Sequence, residues 1–413
     1  MNVHASRELV LSGRPIKAVV YPARTVAGYG HIYSLGAAGI PVVALHPKWG
    51  FTFSSRYVKE HYVTPDAARR PDAFVDWLVR YGQDQPEKPV LFLAEDLYAF
   101  IASARAQSLS PFYRYPYIQP SHLPLFFDKR RMLREAEAAG LDVPPTLFSP
   151  LPSGWKLSWR HFPAVIKPTV SRFSFSGSQV LDRPTFPNVF GGKALLARGP
   201  EEAQTLVDEV QKQGFDFCLQ RLVPGPNAHI YNVKFVADEM GYVPSCFISR
   251  KERQQPADFG TCCVAVSHYL EDLRRQAEAF CRRTGYCGPG GMEFKRDCDS
   301  GRFWFIEVNP RLDYWIRMAT LKGVNLPAQQ YRLSLGQELE TLRQRDGGRA
   351  WIDIEGDWKG RRWRRRHPEH SVGWKEFLGP YRSFDEAVWN RNDPLPGLIN
   401  FARMVPSLLI RRG

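Results

Sequence analysis

The sequence predicts an α/β protein, and three stretches carry the prediction. Residues Ile16 to Leu45 read as strand, glycine-bearing turn, helix and strand; VLFLAEDLYAFIASAR reads as a strand running into a helix; and Gly288 to Arg311, GPGGMEFKRDCDSGRFWFIEVNPR, reads as a hairpin. Switching between a period of two and a period of 3.6 is the mark of βαβ winding. With 413 residues, 44% of them hydrophobic and 24% charged, the chain is long enough for two or three compact units with real cores.

The opening unit runs KAVVYP, then Gly28 and Gly30, then HIYSLGAAG, then IPVVALHP. Gly39 and Pro41 close its helix. GxGxxG is absent, so the glycines imply a tight βα turn and not a dinucleotide fingerprint. A helix follows over Pro71 to Tyr81, and the VLFL strand ends at Glu95 and Asp96, where open α/β sheets line crevices. Asp128 is suited to N-cap the helix of DKRRMLREAEAAG, which Gly140 stops. The strand AVIK puts Lys167 at its end, ahead of a serine-rich loop that contains Gly177; a lysine there can deliver a point charge to phosphate oxygens. Further on come a helix near Pro200 to Gln213, a strand through Gln220 broken at Pro224–Gly225–Pro226, a strand followed by a basic turn that holds Arg250, Lys251 and Arg253, and a helix over Asp272 to Thr284.

The hairpin carries the chemistry. With a five-residue loop, Cys298 to Arg302, paired positions sum to 600, Glu293 lies across from Glu307, and alternation puts Asn309 on the same face as Glu307. Facing residues have Cβ atoms roughly 4.5–5.5 Å apart, where like charges are destabilising unless something sits between them. The neighbours Met292, Phe294, Phe303, Trp304, Phe305, Ile306 and Val308 are too apolar for two idle charges. Two carboxylates and an amide oxygen are hard ligands of the kind Mg²⁺ takes.

E-F-K, a glycine turn, then F-I-E-V-N-P-R resembles the metal-binding hairpin of the ATP-grasp superfamily, especially its carboxylate–amine ligases. The resemblance implies a Rossmann-like N-terminal domain over 1–120, a two-lobed ATP-grasp domain over 121–335 (a nucleotide lobe at about 145–225 and a metal-binding lobe at 226–335) and a C-terminal extension over 336–413. It implies ATP with Mg²⁺ or Mn²⁺ as cofactors, and Glu293, Glu307 and Asn309 as metal ligands. Lys129 and Lys167, with Ser176 and Gly177 of the lid, would meet the phosphates. Gln220 and the main chain of Arg221, Leu222 and Val223 would meet adenine. Lys251 and Arg253 would meet the transferred phosphoryl group, and Arg311 the oxyanion of amide formation. Glu95, Asp96 and Ser54 to Tyr57 become candidate walls of the substrate site. The lid departs from the family in carrying Arg172, Phe173 and Phe175 and one glycine, and Arg221 and Asn227 stand where many relatives have an acid.

By the same resemblance the expected reaction joins a small carboxylic acid to an amine, an amino acid or peptide, through an acyl phosphate. A carboxylase or phosphotransferase, and a non-catalytic ATP-binding regulator or scaffold, are the competing readings. Lys and Arg exceed Asp and Glu by 56 to 42, a formal charge of +14, with the excess peaking between Trp358 and His370. That run reads either as a solvated surface or as a contact for an anionic membrane, and the apolar C-terminal stretch as a packed accessory helix ahead of a membrane-surface helix. No nucleic-acid partner is expected, and a homo-oligomer stays open. No apolar run approaches the roughly 20 residues of a membrane span, and a cytoplasmic location is expected. Seven cysteines without CxxC or zinc spacing imply reduced, mostly buried thiols.

Overall fold

The computed structural model describes residues 15–170, 174–176, 179–181 and 185–409. The first sheet is parallel, ordered β3-β2-β1-β4, with β1 Ala18–Tyr21, β2 Val42–His46, β3 Val58–Val63 and β4 Val90–Leu93. Its central strands are fully buried, as parallel strands covered on both faces must be. The helix Val26–Ala37 begins at Thr25, whose hydroxyl accepts from the Gly28 amide at 2.9 Å. A Cβ on Gly28 would lie 2.3 Å from the Pro22 carbonyl oxygen, and one on Gly30 would lie 2.6 Å from Ile316 Cγ2. Gly28 therefore serves close packing at the βα junction, and Gly30 close packing against the helix Ile316–Leu321. Gly39, at φ +78°, ends the same helix.

A second sheet, ordered β5-β10-β6-β9, is built from β5 Thr146–Phe148, β6 Ala164–Pro168, β9 Leu195–Ala197 and β10 Phe217–Arg221. The short ribbon of β7 Ser174–Ser176 and β8 Gln179–Leu181 follows β6. The predicted helix at Asp128 forms as Lys129–Ala138, with the Asp128 carboxylate accepting from the Arg130 amide. The Lys129 amide also donates to the Thr169 carbonyl at 2.9 Å, which brings the start of this helix to the end of β6.

The large sheet is ordered β15-β14-β11-β12-β13-β16-β17, with β11 Ile230–Ala237, β12 Cys246–Gln255, β13 Thr261–Ser267, β14 Gly288–Arg296, β15 Phe303–Asn309, β16 Ala350–Ile352 and β17 Phe384–Glu386. Glu293 pairs with Glu307 and Gly291 with Asn309, as the sequence predicts. Nearer the turn the register differs: Phe294 pairs with Phe305, and the Asp297 amide donates to the Arg302 carbonyl. The loop is one residue shorter than expected, and Ile306 is bulged. The bulge restores the expected pairing at the acids while turning Phe303 and Phe305 toward the core. Asp297 completes the turn by accepting from the Asp299 and Ser300 amides and from Arg221.

The C-terminal residues are woven into this sheet. β16 pairs antiparallel with β13, and β17 pairs parallel with β16. Behind them the helix Ile354–Arg364 presents Asp357, fully buried, which takes both Nε and Nη2 of Arg253 at 2.7 Å. The basic run is consequently not a uniformly solvated face. Arg361 stacks 3.6 Å from the Trp374 ring centroid and Arg364 is buried, whereas Arg362, Arg365 and Arg366 are exposed. The last helix, Pro394–Leu409, packs on Phe51–Ser54 and leaves Leu395, Leu398 and Phe401 exposed. Among the described residues no helix is long and apolar enough to cross a membrane. The cysteines are free; Cys287 is half-buried, Cys298 is exposed and the others are buried.

Removing one member of a buried ion pair strands the other charge, at a cost of about 3–5 kcal/mol. Asp357→Ala is expected to destabilise the protein by that amount in urea unfolding; an unchanged midpoint would mean that Arg253 finds another anion.

Candidate active site

A cavity of about 1110 Å³ runs between the second sheet and the large sheet and reaches the strand ends of the first. Its floor is the face of the large sheet on which Glu307, Glu293, Asn232 and Ser249 stand in directly paired register across β15, β14, β11 and β12. Asn309 Nδ2 lies 3.4 Å from Glu307 Oε1. Lys251 donates to Glu293. Burial alone would push the Glu307 carboxyl up, but the charges of Lys129, Lys193, Lys251 and Lys167 hold it below its ordinary value. Burial likewise works against the Lys251 ammonium, and the Glu293 carboxylate leaves it above its ordinary value. Glu307 is thus held in its charged form by lysines from separate elements of the fold.

Lys167, at the end of β6, donates to Gln220 Oε1 at 3.0 Å, and the Gln220 amide donates to the Thr146 hydroxyl at 2.9 Å. Burial lowers the Lys167 ammonium from its ordinary value. Gln220, only 3% exposed, underlies the cavity wall and orients Lys167. The next two residues anchor the hinge, the Arg221 amide donating to Pro145 and the Leu222 amide to Pro163, both at 2.9 Å. Gln220, Arg221, Leu222 and Val223 all line the cavity. Ile306 also lines it, the bulge having turned this residue to the same face as Glu307. Gly177, Arg172 and Phe173 lie outside the described residues, and of Phe175 and Ser176 only the backbone is described.

At the far end Arg311 forks onto Asp96, with Nε 2.7 Å from Oδ1 and Nη2 donating to Oδ2 at 2.9 Å. Its Nη1 lies 3.3 Å from Asp313, which also pairs with the fully buried Lys234. The Lys234 ammonium sits 4.0 Å from the Trp315 ring centroid. Two cations and two carboxylates alternate here, joining the helix that follows β4 to the large sheet. Tyr314, on the same wall, donates to Asp353 of the C-terminal segment at 2.8 Å.

The structure therefore gathers Lys129, Lys167, Lys251, Glu293, Glu307, Asn309, Arg311, Glu95 and Asp96 around one cavity. It does not bring in Arg253. The register shift after Lys251 inserts Glu252 as an extra residue, so Lys251 faces the cavity and Arg253 the Asp357 side. Nor does Ser54 to Tyr57 reach it. Ser55 and the Arg56 amide instead hold Asp393, at 2.6 and 2.9 Å, and fasten the C-terminal segment to the first sheet.

Sequence reasoning missed Asn232, Lys193, Lys295, Asp313 and Lys234. Lys295 was within reach, being two residues beyond Glu293 on one strand. Asn232 and Lys234 show their alignment with the acids only once β11 is known to pair with β14.

The donor set fits a magnesium nucleotide: hard oxygen ligands lie beside several ammonium groups and an apolar hinge. Residues 245–342 match the carbamoyl-phosphate synthase L chain ATP-binding domain. The D-aspartate ligase of Enterococcus faecium (strain Aus0004) is 24% identical over 300 residues, covering 68% of this chain and 69% of that one. The L-amino acid ligase from Bacillus licheniformis superposes with a TM-score of 0.55 at 14% identity, over 78% of this chain and 73% of that one. The biotin carboxylase domain of the 2-oxoglutarate carboxylase of Hydrogenobacter thermophilus, solved with MgADP, gives 0.58 at 17% identity, over 80% and 72%. Hairpin, lysines and hinge agree with these likenesses: the chain is similar to ATP-grasp proteins, and ATP with Mg²⁺ fits that similarity.

Proposed function

We propose that the chain is an ATP-dependent carboxylate–amine ligase that forms an amide or peptide bond through an acyl phosphate and releases ADP and phosphate. One observation carries the reading: a single cavity holds a carboxylate pair ringed by lysines at one end and a fixed guanidinium, Arg311 on Asp96, at the other. The first end suits phosphoryl transfer and the second suits an acid and an amine. The names of the D-aspartate and L-amino acid ligases support an amino acid or peptide as substrate.

In the first step a substrate carboxylate oxygen bonds to the γ-phosphorus and the bond to the ADP oxygen breaks. Lys129 and Lys167 offset the negative charge gathered there. Glu293, Glu307 and Asn309 supply the oxygens that would hold Mg²⁺, which when bound adds the same kind of charge compensation. In the second step the amine nitrogen bonds to the acyl carbon and phosphate leaves with its electron pair. Arg311, oriented by Asp96, is placed to donate hydrogen bonds to the oxyanion that forms meanwhile. The hinge from Gln220 to Val223 and the side chain of Ile306 offer the flat, apolar slot that a base requires. Arg253, tied to Asp357, acts in this scheme by fixing the helix Ile354–Arg364 to β12.

The likeness to a biotin carboxylase domain keeps one competitor in view, a carboxylase in which bicarbonate replaces the carboxylic acid. Mass spectrometry of the products formed with paired amino acids, and with bicarbonate, separates the two. An amide product with stoichiometric ADP supports the ligase; a carboxylated product overturns it.

Glu307→Gln is expected to leave the fold intact and abolish amine-dependent ADP formation, and normal turnover would remove the metal-ligand assignment. Lys167→Ala is expected to weaken ATP binding and turnover by about 10- to 100-fold, the worth of a hydrogen bond to a charged group. Unchanged nucleotide affinity and rate would refute its role.

A further inference from the structure

Asn232 stands out on the cavity floor. It lies on β11, directly paired with Glu293 on one side and with Ser249 on the other. Asn232 is 2% exposed and lines the cavity, yet among the described residues its buried Oδ1 has no hydrogen-bond partner. Its neighbour in the row is satisfied: the Ser249 hydroxyl accepts from the Trp315 indole at 2.7 Å. A buried acceptor left unmade is destabilising, so Asn232 holds an unfavourable oxygen beside a carboxylate. Everything on this row is an oxygen donor, from Glu307 through Glu293 to Asn232. An unpartnered amide oxygen aligned with two carboxyl groups in one row is suited to a cation. Neither the hairpin motif nor any spacing along the chain points to this residue, because Asn232 and Glu293 meet only through the β11–β14 ladder.

We propose that Asn232 is an additional oxygen ligand of the divalent cation site, extending the Glu307–Glu293 row onto a third strand. The inference rests on the reading that these carboxylates hold the cation of the nucleotide complex. Asn232 then contributes a neutral oxygen where a third carboxylate would add repulsion, and its ligand atom is prepaid in the unloaded fold as an unsatisfied group.

The test uses the full chain with saturating ADP, and Mn²⁺ as the probe followed by electron paramagnetic resonance, alongside the Mn²⁺-induced rise in melting temperature. Asn232→Leu is expected to weaken Mn²⁺ binding by about tenfold or more, the usual loss when a metal site is disturbed, and to shrink the metal-induced rise in melting temperature accordingly. In EDTA it should melt no lower than the parent, since an unsatisfied oxygen has been removed. Asn232→Asp should restore Mn²⁺ affinity, and it keeps the test readable if the leucine variant fails to fold. Parental Mn²⁺ affinity in Asn232→Leu with loss of binding in Glu307→Gln overturns the role of Asn232 alone. Parental Mn²⁺ affinity in both variants overturns the underlying metal assignment and the inference with it. A raised KM for the acid or amine with unchanged Mn²⁺ affinity also overturns it, assigning the oxygen to a substrate.

Discussion

Two carboxylates facing each other across a β-ladder repel, and much of the molecule is arranged around answering that repulsion between Glu293 and Glu307. The compensation is distributed over the chain. Lys129 comes from the start of a helix, Lys167 from the end of β6, Lys193 from the loop before β9 and Lys251 from β12, and all four hold Glu307 below its ordinary value. A carboxylate held charged by several flexible ammonium groups is a site that can exchange partners.

The hairpin was legible because its signal is local, but the way in which it was legible is instructive. Counting a five-residue loop places Glu293 opposite Glu307, and they are opposite, although the loop is shorter and Ile306 is bulged. Two departures of one residue cancel at the acids. Between the bulge and the turn the strict alternation fails, which the apolar residues Phe303, Phe305 and Val308 already hint at by their broken phase. The same physics removed Arg253 from the cavity, because an extra residue at Glu252 turns the strand over. Sequence alternation predicts faces only as far as the next bulge.

Long-range pairing was the part that the sequence did not display. Asp96 is notable as a strand-end acid and Arg311 as a residue just beyond the acidic hairpin, yet nothing in either segment announces that they form one fork across 215 residues. The basic run after Trp358 misled in another way. Composition cannot distinguish an arginine in water from Arg361 stacked on Trp374 or from buried Arg364, since guanidinium groups lie well on rings and against carbonyl oxygens. In the first sheet β1, β2 and β4, with their apolar runs, were read from the sequence because burial on both faces leaves an unmistakable pattern, whereas the polar, exposed β3, VKEHYV, was not anticipated.

The pairing of β16 with β13 also sets an order of assembly. A ribosome delivers Thr261 to Ser267, the apolar stretch TCCVAVS, long before Ala350 to Ile352 arrive to cover its edge. During that interval the emerging chain offers an open, hydrophobic strand edge of the kind that invites pairing with a neighbour. Its protection lies more than eighty residues downstream, so the nascent protein passes through a vulnerable stage that the finished one conceals.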